Sequence, residues 1–121
     1  MKRVYFEDYR GTPILHVDYS GLTDPDELWG VVREASALVR SRPPGSVLTL
    51  ANLTGVPFSL VVTAIMQQGV AESRPHVRAR AVLGLSPEAA RSFEVSALLF
   101  GSPMARFDDP VAAKEWLLAH Q

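Results

Sequence analysis

The chain has 121 residues, 47% of them hydrophobic and 21% charged, with a formal net charge of −1 and no cysteine. That length fits one domain able to bury roughly two thirds of the surface its unfolded form exposes, and the composition is globular rather than disordered. The missing cysteines exclude disulfides, thiolate nucleophiles and thiolate zinc sites, and the near-neutral charge gives no electrostatic footprint for nucleic acid.

Lys2 and Arg3 are followed by Val4-Tyr5-Phe6, a short β-type run that Glu7, Asp8 and Arg10 cut off. Neither a leader peptide nor the ~20 apolar residues of a membrane span is present, so a cytoplasmic location is expected. After the polar turn Asp8 to Thr12, Ile14 to Tyr19 alternates with period two and predicts a second strand, hairpin-paired with the first.

Asp24 as cap, Pro25 as first helical residue and Glu27 three places after the cap announce a helix. Its apolar face is Leu28, Val31, Val32, Ala35, Leu38 and Val39, and Arg42-Pro43-Pro44-Gly45 ends it. Val47 to Ala51 is almost continuously apolar, as a buried parallel strand should be. A second helix starts between Pro57, which suits the first helical position, and Ser59, the better cap, and runs to Glu72 or Ser73.

Val77 to Leu83 is the next strand, closed by Gly84. Ser86-Pro87 repeats the cap-then-proline device and opens a third helix striped by Ala89, Phe93, Ala97 and Phe100, with Gly101 as its stop. Met104 to Phe107 forms a last short strand, and Asp109-Pro110 launches a final helix through Trp116 and Leu117. The order ββαβαβαβα predicts a single α/β domain: a mostly parallel five-stranded sheet, its first strand antiparallel, with four helices.

Four segments carry a family resemblance: Val17-Asp18-Tyr19-Ser20-Gly21-Leu22, Leu48 to Gly55, Arg80 to Ser86, and Phe107 to Leu117. Together they resemble the SpoIIAA-like, STAS-type domains across nearly the whole chain. The resemblance implies a SpoIIAA-like fold and a non-enzymatic regulatory or protein-interaction module. The best-understood members of that family antagonise anti-sigma factors and are switched by phosphorylation of a serine in a loop ending Asp-Ser-Ser-Gly. Here Pro57 stands at the aspartate, Phe58 and Ser59 replace the serines, and the glycine is missing. Switching by phosphate is therefore not expected. The related Sec14-type fold holds lipids, which keeps a small-ligand or lipid-binding reading open beside the first.

The candidate site is the rim at the carboxyl ends of the parallel strands: Asn52, Thr54, Gly55, Ser59, Gly84 and Ser86. Ligands of α/β proteins gather there, and helix N-termini favour an anionic group. Turn-making by the two glycines and capping by the serines account for the same residue types without a ligand. No catalytic residue is assigned, because no nucleophile elbow, acid–base pair or phosphate loop can be assembled. His16 and Asp18 read as a solvated strand face, and His76 and His120 lack metal-ligand spacing. No cofactor is called for.

Arg74, His76, Arg78 and Arg80 are the one basic cluster, either an attractor for anions or the polar face of a strand whose other face is Val77, Ala79 and Ala81. Trp116 belongs to a core stripe, and Trp29 sits at the edge of one. Phe58 to Val62 is more apolar than one helix face requires, which points to a covered surface: a protein partner, a homodimer through that helix or the first strand, or an apolar ligand.

Overall fold

Turn chemistry sets where the first elements begin. A computed structural model describes residues 2–97 and 103–121. The strands β1 (Val4–Tyr9) and β2 (Thr12–Asp18) pair antiparallel, with Tyr9 opposite Thr12. Only Arg10 and Gly11 turn the chain, both at positive φ (51° and 84°), as a two-residue hairpin demands. The turn is thus shorter than the polar stretch from Asp8 to Thr12, because strand pairing continues through Asp8 and Tyr9.

Asp24 caps α1 (Pro25–Arg40), and its carboxylate accepts from Asp26 N. The chain continues through β3 (Val47–Asn52), α2 (Leu60–Ser73), β4 (Val77–Leu83), α3 (Pro87–Ala97), β5 (Met104–Phe107) and α4 (Pro110–Leu118). Ser59 is the cap of α2: its hydroxyl accepts from Val62 N at 3.1 Å, so Pro57 lies outside the helix. Phe100 and Gly101, expected in and after the third helix, fall outside the described residues.

The sheet order is β1-β2-β3-β4-β5, with every pair after the first parallel. Strands that neighbour in sequence neighbour in space, so each of the three βαβ crossovers advances in the same direction. Right-handed crossovers of that kind deliver α1, α2 and α3 to one face. The helix α4 follows β5 and covers the other.

Two interiors result. Leu15, Val17, Tyr19 and Val47 pack against Leu28, Val31, Val32 and Val39 of α1 and Val62 of α2. On the opposite face Ile14, Leu48, Leu50, Ala79, Ala81 and Leu83 meet Ala113 and Leu117 of α4. Trp116 is half-buried at the margin of that second core, against Phe107 and His120. No helix of the described residues is long and apolar enough to cross a membrane.

One strand face differs from its alternation. The register slips between Val47 and Leu48, which pair with Val77 and Ala79, so Arg78 is an extra residue in β4. Val77 therefore joins the α1 side while Ala79 and Ala81 join the α4 side. Arg78 is exposed and donates to His120 O at 2.7 Å, whereas Arg80 is turned under the helices and only 8% exposed. The two arginines do not share a solvated face.

Candidate functional site

The carboxyl ends of β2, β3, β4 and β5 lie level, as Asp18 is registered with Asn52, Asn52 with Leu83 and Leu83 with Phe107. The loops after β3 and β4 therefore meet. Asn52 Oδ1 accepts from Thr54 N at 3.1 Å and from Thr54 Oγ1 at 2.7 Å, which folds the chain back on itself. Leu53 N donates to Leu83 O, and Gly21 N donates to Thr54 O, so the loop after β2 joins the same cluster.

Gly84 is the tightest point. It has φ +78°, and a Cβ there would stand 2.6 Å from Thr54 N and 2.8 Å from Thr54 Cα. Only glycine fits both the backbone conformation and the approach. Asn52, Thr54, Gly55 and Gly84 are thus brought together, and Gly21, not singled out from the sequence, completes the group. Ser86 follows on the same loop and caps α3, its hydroxyl accepting from Ala89 N at 3.2 Å. Ser59 is set apart as the cap of α2. Turn-making and capping occupy the side chains that a ligand would otherwise use.

Beside this rim, the start of α2 shows apolar side chains to solvent. Phe58 is 50% exposed, Leu60 91% and Val61 55%, while Val62 alone of the run turns inward. The chain there carries no acidic residue in the first turn of the helix.

Behind the rim lies a cavity of about 200 Å³ between the sheet and the helices, walled by Val32, Val39, Val62, Met66 and Phe93 among others. Ser36, Thr49, Ser73 and Arg80 also line it, and these four are the buried polar residues of the described chain. Arg80 Nη2 donates to Ser73 Oγ at 3.0 Å and to Val70 O at 3.3 Å. Its Nε has no partner among the described residues. Burial lowers the Arg80 pKa to about 10, so the guanidinium stays charged at neutral pH. Burial also raises the pKa of Tyr19, which lines the same space.

His16 and Asp18 are committed elsewhere. His16 stacks on Tyr5 and pairs through Nε2 with Glu7 at 2.6 Å; Asp18 accepts from Ser20 N. No cluster of three or more metal-ligating side chains occurs among the described residues.

Searches of protein-family models and of curated proteins find no match to this chain. Solved structures do match. A DUF3478-family protein with a SpoIIAA-like fold from Shewanella loihica PV-4 superposes with a TM-score of 0.62. It is 16% identical, with 94% of this chain and 91% of that one covered. The fold is SpoIIAA-like. An anti-sigma-factor antagonist (STAS) domain protein from Planctomyces limnophilus gives 0.58 at 15% identity, covering 97% of each chain. The fold implied by the resemblance in the four sequence segments is borne out; at these identities the likeness speaks of fold alone.

Proposed function

We propose that this SpoIIAA-like domain is a non-enzymatic, cytoplasmic interaction module that docks a protein partner through the start of α2 and the adjoining rim. The exposure of Phe58, Leu60 and Val61 carries the reading. A helix that faces its own core needs only Val62 of that run, and three exposed neighbours of this size form a patch suited to a covered surface. The patch overlaps Thr54 to Ser59, the stretch onto which the resemblance to STAS-type domains maps the family's partner-binding loop. The structural likeness to an anti-sigma-factor antagonist domain supports the same reading. Phosphate switching has no part in it, since Pro57 and Phe58 stand in place of two polar residues of the family's phospho-loop.

The test uses Leu60→Asp, a change at a side chain that is 91% exposed and leaves the core untouched. A photo-cross-linker at position 61 should capture a partner in cells, and Leu60→Asp should abolish the adduct at unchanged thermal stability. Asn52→Ala with Thr54→Ala should weaken it if the rim takes part. An equal adduct in Leu60→Asp defeats the reading. Should the captured partner be a second copy, sedimentation at micromolar concentration will show twice the monomer mass, and the patch is a homodimer interface.

A further inference from the structure

Arg80 poses a problem that its hydrogen bonds leave unsolved. It brings a full positive charge beneath three helices, and among the described residues no carboxylate pairs with it. Val70 O and Ser73 Oγ accept from Nη2, but both are neutral. Nε is buried and has no acceptor among the described residues. An uncompensated charge and an unmade hydrogen bond in an apolar interior are each costly, and folded proteins retain them where a partner completes them.

The surroundings say what kind of partner. Thr49 lies directly across from Arg80 in the register of β3 and β4, and Ser36 and Ser73 reach the same cavity from α1 and α2. Every buried polar residue of the described chain thus gathers on this one space, whose remaining wall is aliphatic and aromatic. The charge sits near the end of α2 at Val70 and Ser73, while Pro57 and Phe58, at the other end of that helix, line the cavity and are exposed. One polar, cationic end and one apolar end open toward solvent describe the complement of an amphiphile.

We propose that the cavity binds a small amphiphilic monocarboxylate, its head pairing with the guanidinium of Arg80 and its chain lying along Val32, Val62 and Met66 toward Phe58. A charge-assisted bond to a carboxylate neutralises the buried guanidinium. Size follows from volume. An apolar cavity of about 150 Å³ holds benzene, so one of this size takes a ligand of about eight to ten non-hydrogen atoms. Hexanoate and octanoate span that range. This site meets the proposed docking patch only at Phe58 and does not depend on it.

Thermal unfolding of the whole chain with octanoate, octanol or octylamine tests the head group directly. Ligand that binds only the folded state raises the midpoint, so octanoate should raise Tm by several degrees, octanol less, and octylamine not at all. Calorimetric titration of Arg80→Met should show at least tenfold weaker octanoate binding with octanol unchanged. Leu60→Asp should bind octanoate as the parent does, which keeps this result distinct from the docking test. Equal shifts with all three head groups, no octanoate binding at low millimolar concentration, or undiminished binding by Arg80→Met overturns the proposal. Should Arg80→Met fail to fold, the head-group series on the parent chain decides alone.

Discussion

Alternate residues of the same strands serve two unlike interiors. Ile14, Leu48, Leu50, Ala79 and Ala81 look toward α4, while Leu15, Val17, Thr49 and Arg80 look toward α1 and α2. On the first side the strand residues under the helix include two alanines, and Ala113 answers them, so α4 settles closely and Leu117 is wholly buried. On the second side the wall residues are larger, yet a cavity of about 200 Å³ remains and all four buried polar residues surround it. Close packing there is local: a Cβ on Gly69 of α2 would stand 2.8 Å from a methyl of Val32 in α1. Helix-to-helix contact sets the height of that layer above the sheet, and the sheet's own side chains do not fill the space beneath. A space of similar volume opens on the α4 side at Leu50, Leu83 and Pro110, but no buried polar residue lines it.

The largest effect expected from this difference is at Leu117. Leu117→Ala removes a fully buried side chain of the α4 side, and should cost about 2–5 kcal/mol in urea unfolding. A loss below 1 kcal/mol would mean that the α4 side is as forgiving as the other. Gly69→Ala sharpens the contrast. Its new methyl meets Val32, but both residues line the cavity, so Val32 has somewhere to go. Helix propensity favours alanine by about 0.8–1.0 kcal/mol, and the two effects should nearly cancel in the same assay. Destabilisation by several kcal/mol would show that the cavity offers no slack.

The smallest expected effect concerns pH and belongs to the α4 side. Glu7 accepts from Lys114 of α4 at 2.9 Å and pairs with His16, and the Lys114 bond above all holds its carboxyl below the ordinary range. A carboxyl with a depressed folded pKa stabilises the fold above its unfolded value of about 4.3 and loses that contribution as pH falls through the folded value. Glu7 is partly exposed, so the amount is that of a surface pair, about 0.2–1 kcal/mol. Glu7→Gln should therefore lower stability slightly at pH 7 and match the parent at pH 3. An identical difference at both values would assign the effect to packing instead of charge.

Much of this architecture is legible in the residues. Asp24, Ser59, Ser86 and Asp109 all cap the helices that their positions announce, because capping is decided within one turn of chain. Arg10 and Gly11 carry the hairpin for the same local reason. The rim is half legible: chain order sets the loops at one end of the sheet, but the part of Gly21 depends on a contact between loops far apart in sequence. Period two sets Arg80 opposite Ala79 and Ala81, as observed, but the bulge parts it from Arg78, its supposed partner, and layer geometry, which alternation does not carry, decides that helices cover it. The signal available was weaker, a charge inside the otherwise apolar run Ala79 to Leu83.

The ties of α4 carry a consequence for how the chain assembles. Tyr9 donates to Glu115, Arg10 and Glu115 are 2.7 Å apart, and Thr12 donates to Gln121, each pair separated by more than a hundred positions along the chain. The strands β2 to β4, by contrast, join neighbours in sequence through α1 and α2. Closing long loops late is the lower-entropy-cost route, which predicts that the crossovers form the folding nucleus and that α4 docks after the rate-limiting barrier. Leu117→Ala should then act almost wholly on the unfolding rate and leave refolding near that of the parent in stopped-flow measurements. The last helix would serve as a latch on kinetic lifetime, closing a fold whose formation it does not hasten.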